Sequence, residues 1–349
     1  MTGGKTRAVK PRAWRGFAAR SLAAIVALLA LLAAVPARAA EEHTVLALPA
    51  DVMQFLGIYA AQDMGFWKEE GLEVKTVFIA GVGAFNAVVS GSADFSVSSG
   101  VALTRAAAHG QRMLAIANMI DKPVWSIVLN RDVAEAARFD PKAPLAVRAR
   151  LMRGKNMGID AVNSVVHAYL RAIAKIGGLD PESVVVAPLQ PADTLAAFSR
   201  RALDGFVAGT PWPQQVLEKG TGVVIASPTN GDPDWIAPNG SGVIVTRPQY
   251  CVEHRSICEK MGRGLVAGAR FIHEQRDQAL ALMRQHFDKI DPAVIERSFK
   301  VVEIGTPLPP VMVEEVLRNS ERLNIEAGLM APEDRLQSYA GLYTDEFVR

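Results

Sequence analysis

Cysteine is nearly missing from this chain: Cys251 and Cys258 are the only two in 349 residues. Two thiols cannot build a four-cysteine or three-cysteine zinc centre, and nearby His254 adds at most a third ligand at poor spacing. Histidine is also scarce. The six, His43, His109, His167, His254, His273 and His286, include no HExxH or other close ligand pair, so no metal site is expected. A G-x-S-x-G elbow, a GxGxxG turn and a P-loop lysine are all lacking, which removes elbow-type hydrolysis and a nucleotide cradle. No cofactor is therefore expected. Beyond residue 40 no apolar run reaches the roughly 20 residues of a spanning helix.

Acidic residues are absent from the first forty positions, and this absence is informative. Lys5, Arg7, Lys10, Arg12, Arg15 and Arg20 precede the apolar run "SLAAIVALLALLAAV" and then "PARAA". That order reads as a signal peptide over residues 1–40, cleaved after Ala39 or Ala40; an uncleaved anchor is the alternative. Neither an Arg-Arg pair nor a lipid-accepting cysteine lies near the cleavage site. Residues 1–40 hold seven of the 38 basic residues and none of the 36 acids, so the mature chain carries 31 basic against 36 acidic, a net charge of −5. Such a balance argues against nucleic acid or an anionic membrane as partner, since both call for a basic patch. About 310 residues exceed one typical core and suggest two lobes.

In an oxidising compartment, two cysteines separated by "VEHRSI" can close a small loop. A Cys251–Cys258 disulfide is expected, and two free thiols are the alternative. From His43 the pattern alternates: the strand "HTVLAL", an apolar-periodic helix "QFLGIYAAQDM", and the strand "LEVKTVFI". Between helix and strand stands "GFWKEEGLEV". There Gly65 stops the helix, Phe66 and Trp67 fold back to pack, and Gly71 turns the chain into the strand that leads to Ile79 and Ala80. Strands alternating with helices imply parallel pairing and an α/β class. The segment "FNAVVSGSADFSVSSG" also overlays "LAAFSRRALDGFVAGT" without gaps, matching Ala87 with Ala197, Asp94 with Asp204 and Val97 with Val207. Two similar α/β lobes follow, with a helical C-terminal third that reads as cover for the first lobe.

The stretches "LGIYAAQDMGFWKEEGLEV", "FNAVVSGSADFSVSS", "RGKNMGI" and "KIGGLDPESVVV" resemble the bacterial solute-binding proteins of nitrate, taurine and alkanesulfonate importers. That family shares its fold with the thiamine-pyrimidine precursor synthases. The resemblance runs from Val45 to about Phe287. It implies a two-lobed periplasmic-binding-protein fold of type II with a hinge and a helical C-terminal extension on the first lobe. Lobe 1 would take 41–132 and 246–349, lobe 2 would take 133–245, and the hinges would lie near Asn130–Val133 and Gly240–Thr246. It further implies a periplasmic monomer that passes a small-molecule ligand to an ABC permease and its ATPase subunit. An exported module reporting to a membrane sensor has the same lobes and is the alternative. An enzyme of the synthase type is less favoured, because its cysteine cluster is missing and a signal peptide is out of place.

Ligand sites in open α/β sheets lie beyond the carboxyl ends of the strands. In the first lobe this rule selects Asp51 and Gln54, then Gly81, Val82 and Gly83, then Ser98 and Ser99. In the second lobe it selects Asp160, Asn163 and Ser164, then Asp193, then Thr210 and Trp212. Free N–H groups at helix starts suit an anionic group, and the hydroxyl and amide side chains can orient a ligand; ordinary helix capping is the competing role. Trp125 and Trp212 are aromatic candidates. Trp212 is the stronger because it follows a strand end, whereas core packing competes equally for Trp125. The selected positions contain aspartates but no Lys or Arg, although Arg105 and Lys122 stand close enough in sequence to reach in. A heteroaromatic or amine-bearing compound, or an organic acid held by helix N-termini, fits better than an inorganic oxyanion. Sulfonates and carboxylates remain in the class of small organic solutes considered.

Overall fold

Among the described residues, ten strands form two five-stranded sheets of the same design. The computed structural model describes residues 1–5 and 41–349, so the expected signal peptide lies almost wholly outside the described residues. Residues Glu41–Arg349 form one unit. The first sheet contains β1 (Glu42–Leu48), β2 (Leu72–Phe78), β3 (Phe95–Ser98), β4 (Leu114–Ile120) and β10 (Gly242–Thr246), in the order β2-β1-β3-β10-β4. The second contains β5 (Ser126–Asn130), β6 (Asn156–Ile159), β7 (Val185–Pro188), β8 (Gly205–Ala208) and β9 (Gly222–Ala226), in the order β7-β6-β8-β5-β9. In each, three strands run parallel and an antiparallel fourth is contributed by the chain as it crosses from the other lobe.

The internal repeat has a structural cause. Asp94 donates its backbone N–H to the Val45 carbonyl and accepts the Val45 N–H on its carboxylate. Asp204 does the same with the Asn156 carbonyl and N–H. Each aspartate thus pins the start of its lobe's central parallel strand, a place where a buried backbone N–H would otherwise go unpaired.

The crossings lie earlier in the chain than the sequence suggests. Because β5 pairs with β8 and β9, the first crossing is 121–125, ahead of Asn130–Val133. Because β10 already belongs to the first sheet, the second crossing is 227–241 and ends before Gly242. Lobe 1 therefore ends near Ile120 and resumes at Gly242, one strand away from the expected bounds at 132 and 246. The sequence could not show this, since a strand reads alike whichever sheet it joins. The two crossings are tied together: Asn239 donates its N–H to the Asp121 carbonyl at 2.7 Å, and Ser241 donates to the Ile120 carbonyl at 3.1 Å. Asp232 anchors the second crossing to lobe 2 by pairing with Arg148 at 2.7 Å, while its carbonyl accepts the Tyr169 hydroxyl.

The connector "GFWKEEGLEV" is a packing device. Gly65 and Gly71 take positive φ of 79° and 70°, which an L side chain resists. Between them the short helix Phe66–Glu69 buries Trp67, whose indole N–H donates to the Met261 carbonyl. Helix Arg255–Glu274 packs on this turn and on helix Leu56–Asp63. The approach is close because a β-carbon at Gly268 would overlap the Gly57 carbonyl.

The C-terminal helices cover more than the first lobe. Helix Glu314–Ala327 packs on Gly100–Ala108 of lobe 1 and on Val165–Ile176 of lobe 2. Val316 and Leu317 enter one hydrophobic cluster of lobe 1, and Leu323 and Ala327 enter the core of lobe 2. Midway, buried Asn324 donates to the Val101 carbonyl and to the Thr104 hydroxyl. Amphipathic periodicity cannot reveal that two ends of one apolar face bury against different partners.

Cys251 and Cys258 are joined by a disulfide that links helix Pro248–Glu253 to helix Arg255–Glu274. Closing so short a loop is worth about 2 kcal/mol in the chain-entropy account. The Cys251→Ala/Cys258→Ala variant is therefore expected to melt about 3 °C lower in calorimetry. An unchanged midpoint would mean that the surrounding helices already impose the constraint. No helix among the described residues is long and apolar enough to cross a membrane.

Candidate functional site

The carboxyl ends of β1, β3, β6, β7 and β8 and the loop after β2 converge on one cavity between the two lobes, with a volume of about 100 Å³. Lobe 1 contributes Pro49, Ala50, Val52, Gln54 and Phe55 after β1, Gly81 and Val82 after β2, and Val97, Ser98, Ser99 and Ala102 around the end of β3. Lobe 2 contributes Asp160, Ser164, Val165 and Val166 after β6, Leu189, Pro191 and Thr194 after β7, Val207 and Ala208 from β8, and Gly209 just after it. Trp125 and Ser241, one from each crossing, complete the wall.

The lobes are closed on one another. The Met53 N–H donates to the Thr210 carbonyl at 3.4 Å, and Arg105 donates to the Asn163 carbonyl at 2.9 Å. Gly81 lies so near Ala161 that a β-carbon on it would stand 2.5 Å from the alanine methyl. The Gln54 amide reaches across to Gly209, at a position where any side chain would collide with it.

The lining is mostly apolar, with polar groups in a few places. Ser99 caps helix Gly100–Ala108 by accepting the Ala102 N–H, and Ser164 caps helix Val165–Ile176 by accepting the His167 N–H. Both serines therefore act as caps and also line the cavity. Asp160 is the single ionisable side chain among the 23 lining residues. Its Oδ1 accepts the Ser164 hydroxyl at 2.5 Å and the Ala161 N–H at 2.7 Å. Burial raises its carboxyl above the ordinary value, and these two hydrogen bonds only partly offset the effect. Several buried polar atoms at the wall have no protein partner: the Trp125 indole N–H, the Gln54 amide oxygen and the Ser241 hydroxyl.

Of the residues selected from sequence, Gln54, Gly81, Val82, Ser98, Ser99, Trp125, Asp160 and Ser164 line the cavity, and six do not. Asp51 is exposed and accepts the Tyr59 hydroxyl. Gly83 starts helix Gly83–Ser90, one residue past the wall. Asn163 is exposed with φ of 64°, its N–H held by His167 and its carbonyl by Arg105. Asp193 is exposed on the first turn of helix Pro191–Ser199. Thr210 is wholly buried behind the wall, where its carbonyl serves the lobe-to-lobe bond. Trp212 packs with Phe198, Phe206 and Val216 on the second sheet, so of the two tryptophan candidates Trp125 lines the cavity, together with Phe55. Lys122 is exposed, and neither it nor Arg105 lines the wall. Among the described residues no group of side chains has the makings of a metal site.

Sequence reasoning missed two kinds of position. Phe55, Ala102, Val166 and Thr194 stand a few residues past their strand ends and turn back toward the cavity, and only the helical period signals them. Ser241 sits at the end of a crossing, where no local pattern marks it.

A family model for NMT1/THI5-like proteins matches residues 52–279. Among solved structures, one from Bordetella bronchiseptica RB50 is 18% identical with a TM-score of 0.77, covering 88% of this chain and 96% of that one. The alkanesulfonate-binding protein SsuA from Xanthomonas axonopodis pv. citri, bound to MOPS, is 16% identical with a TM-score of 0.67, covering 88% and 99%. The periplasmic nitrate-binding protein NrtA from Synechocystis PCC 6803 is 14% identical with a TM-score of 0.64, covering 85% and 84%. Comparison with curated proteins gives no match.

Proposed function

As the chain belongs to the NMT1/THI5-like family, we propose that it is the substrate-binding component of an ABC importer, which captures a small organic solute between its lobes. One observation carries this reading: the strand ends of both sheets supply a single wall, so a bound solute touches both lobes at once. A ligand stabilises the closed arrangement by as much as its affinity for the closed form exceeds that for the open one. Capture by closure therefore needs contacts from both sides, and the cavity provides them. The closed form would dock on a permease that works with an ATPase subunit. Export to the periplasm behind a cleaved signal peptide and a monomeric state belong to the same proposal.

Capture without turnover is supported by the chemistry of the wall. Its one ionisable group, Asp160, holds the Ser164 hydroxyl, but that oxygen is occupied as the cap of its own helix, and no histidine completes the pair, since His167 uses its Nδ1 to accept the Asn163 N–H. The test is a thermal-shift screen of the unfolded and refolded secreted chain against sulfonates, nitrate, carboxylates, pyrimidines and amines. A true ligand at a hundredfold excess over its Kd adds about 2.7 kcal/mol and moves the midpoint by several degrees. Shifts confined to one chemical class are expected. Turnover of any shifting compound, detected by mass spectrometry, would sink the reading.

A further inference from the structure

Resting on the reading of the cavity as a solute site, we propose that it selects a compact organic cation, an amine or amidine with an apolar body, and that Asp160 is its counter-ion. Several observations lead there. Asp160 is the only ionisable group on the wall and faces no basic side chain across it. Its two protein hydrogen bonds both go to Oδ1, which leaves Oδ2 for a ligand N–H. Taking a carboxylate out of water without a cation is costly, and a cationic ligand restores the missing partner.

The rest of the wall fits a flat, largely apolar body with few polar atoms. Trp125 is 1% exposed and Ser241 is 7% exposed, yet the indole N–H and the serine hydroxyl have no protein partner; the indole only donates, so the natural solute carries one acceptor atom besides its cationic group. The unpartnered Gln54 oxygen adds a second acceptor for a ligand N–H. An engineered cavity of about 150 Å³ takes benzene, so this one, at about 100 Å³, holds at most a single ring in the closed form, and a substituted ring requires the lobes to close slightly less far. A sulfonate, nitrate or carboxylate would instead place a second negative charge against Asp160 in a medium that screens it poorly.

Nearby charges leave Asp160 alone. Arg105 donates one guanidinium N–H to the Asn163 carbonyl and keeps its buried Nη1 without a protein partner, but it stands outside the wall; His167 is engaged by the Asn163 N–H, and Asp193 on the neighbouring helix is exposed. With its pKa raised, Asp160 gains charge later than a free carboxyl as pH rises. Affinity for a cation accordingly strengthens with pH across that titration and then levels off.

The test is a shape-matched trio measured by calorimetry on the refolded secreted chain: benzamidine as cation, benzamide as neutral form and benzoate as anion. Benzamidine is expected to bind at least tenfold tighter than benzamide, with benzoate weakest. Asp160→Asn, which keeps the Oδ1 acceptor, should lose at least tenfold for benzamidine and change benzamide by less than threefold. Benzoate binding tighter than benzamidine, or Asp160→Asn leaving benzamidine unchanged, overturns the charge assignment and leaves solute capture standing. Failure of all three to bind also overturns it. Solute capture itself is judged separately, by the broad thermal-shift screen.

Discussion

Ala102→Phe will abolish solute binding while the protein stays folded. Ala102 is the third residue of helix Gly100–Ala108, its N–H is the one that Ser99 caps, and the residue forms part of the cavity wall. A phenyl ring is about the size of the whole opening, so it fills the space a solute would take. Because the ring enters a void, little overpacking strain is expected, and the helix loses no cap. The affinity for whichever compound the thermal-shift screen selects should fall by at least about a hundredfold, equivalent to about 2.7 kcal/mol. The midpoint of the unliganded protein should stay within a few degrees. Retained affinity would place the solute somewhere other than this cavity. Asp193→Ala is the control, since that residue is exposed outside the wall, and it should leave affinity unchanged.

The largest loss of stability is expected from Gly268→Leu. At this position helix Arg255–Glu274 crosses helix Leu56–Asp63 with backbone against backbone, and a β-carbon would overlap the Gly57 carbonyl. A flexible side chain could swing aside, but a backbone carbonyl within a helix cannot. The helices would have to separate, opening the core formed by Ile58, Met119, Leu265 and Ala269. The cost is about 3 kcal/mol or more, a large part of the few to fifteen a domain possesses. Either no soluble protein or a midpoint lowered by at least about 5 °C is expected. Wild-type melting of this variant would show that the helix pair can part without consequence.

What could be read from the sequence depended on how local each feature is. Alternating strands and helices and the positive-φ glycines at 65 and 71 act over a few residues, so the pattern exposed them; the Asp94/Asp204 match showed because the segment repeats, although its contacts to Val45 and Asn156 are long-range. The rule placing ligands beyond strand ends located seven wall residues, because strand ends are local signals. It failed where three-dimensional direction matters. Asp51 and Asn163 follow strand ends yet turn outward, one toward Tyr59 and the other toward Arg105. The choice between Trp125 and Trp212 was likewise settled by direction: one faces the cleft from a crossing, and the other lies against the second sheet. Lobe membership of β5 and the double attachment of helix Glu314–Ala327 are long-range facts without a local marker.

The exchange of strands between the lobes has a consequence for how the chain is made. Strands β5 to β9 follow one another in sequence, so the second sheet has all its members once Ala226 has emerged. The first sheet begins with the earliest strand of all, yet β4 must wait for β10 to be synthesised before it has a neighbour in the sheet. A nascent chain therefore holds an incomplete first sheet with an unpaired β4 throughout the manufacture of the second, the kind of open edge that invites wrong pairing. The lobe begun first is the lobe finished last.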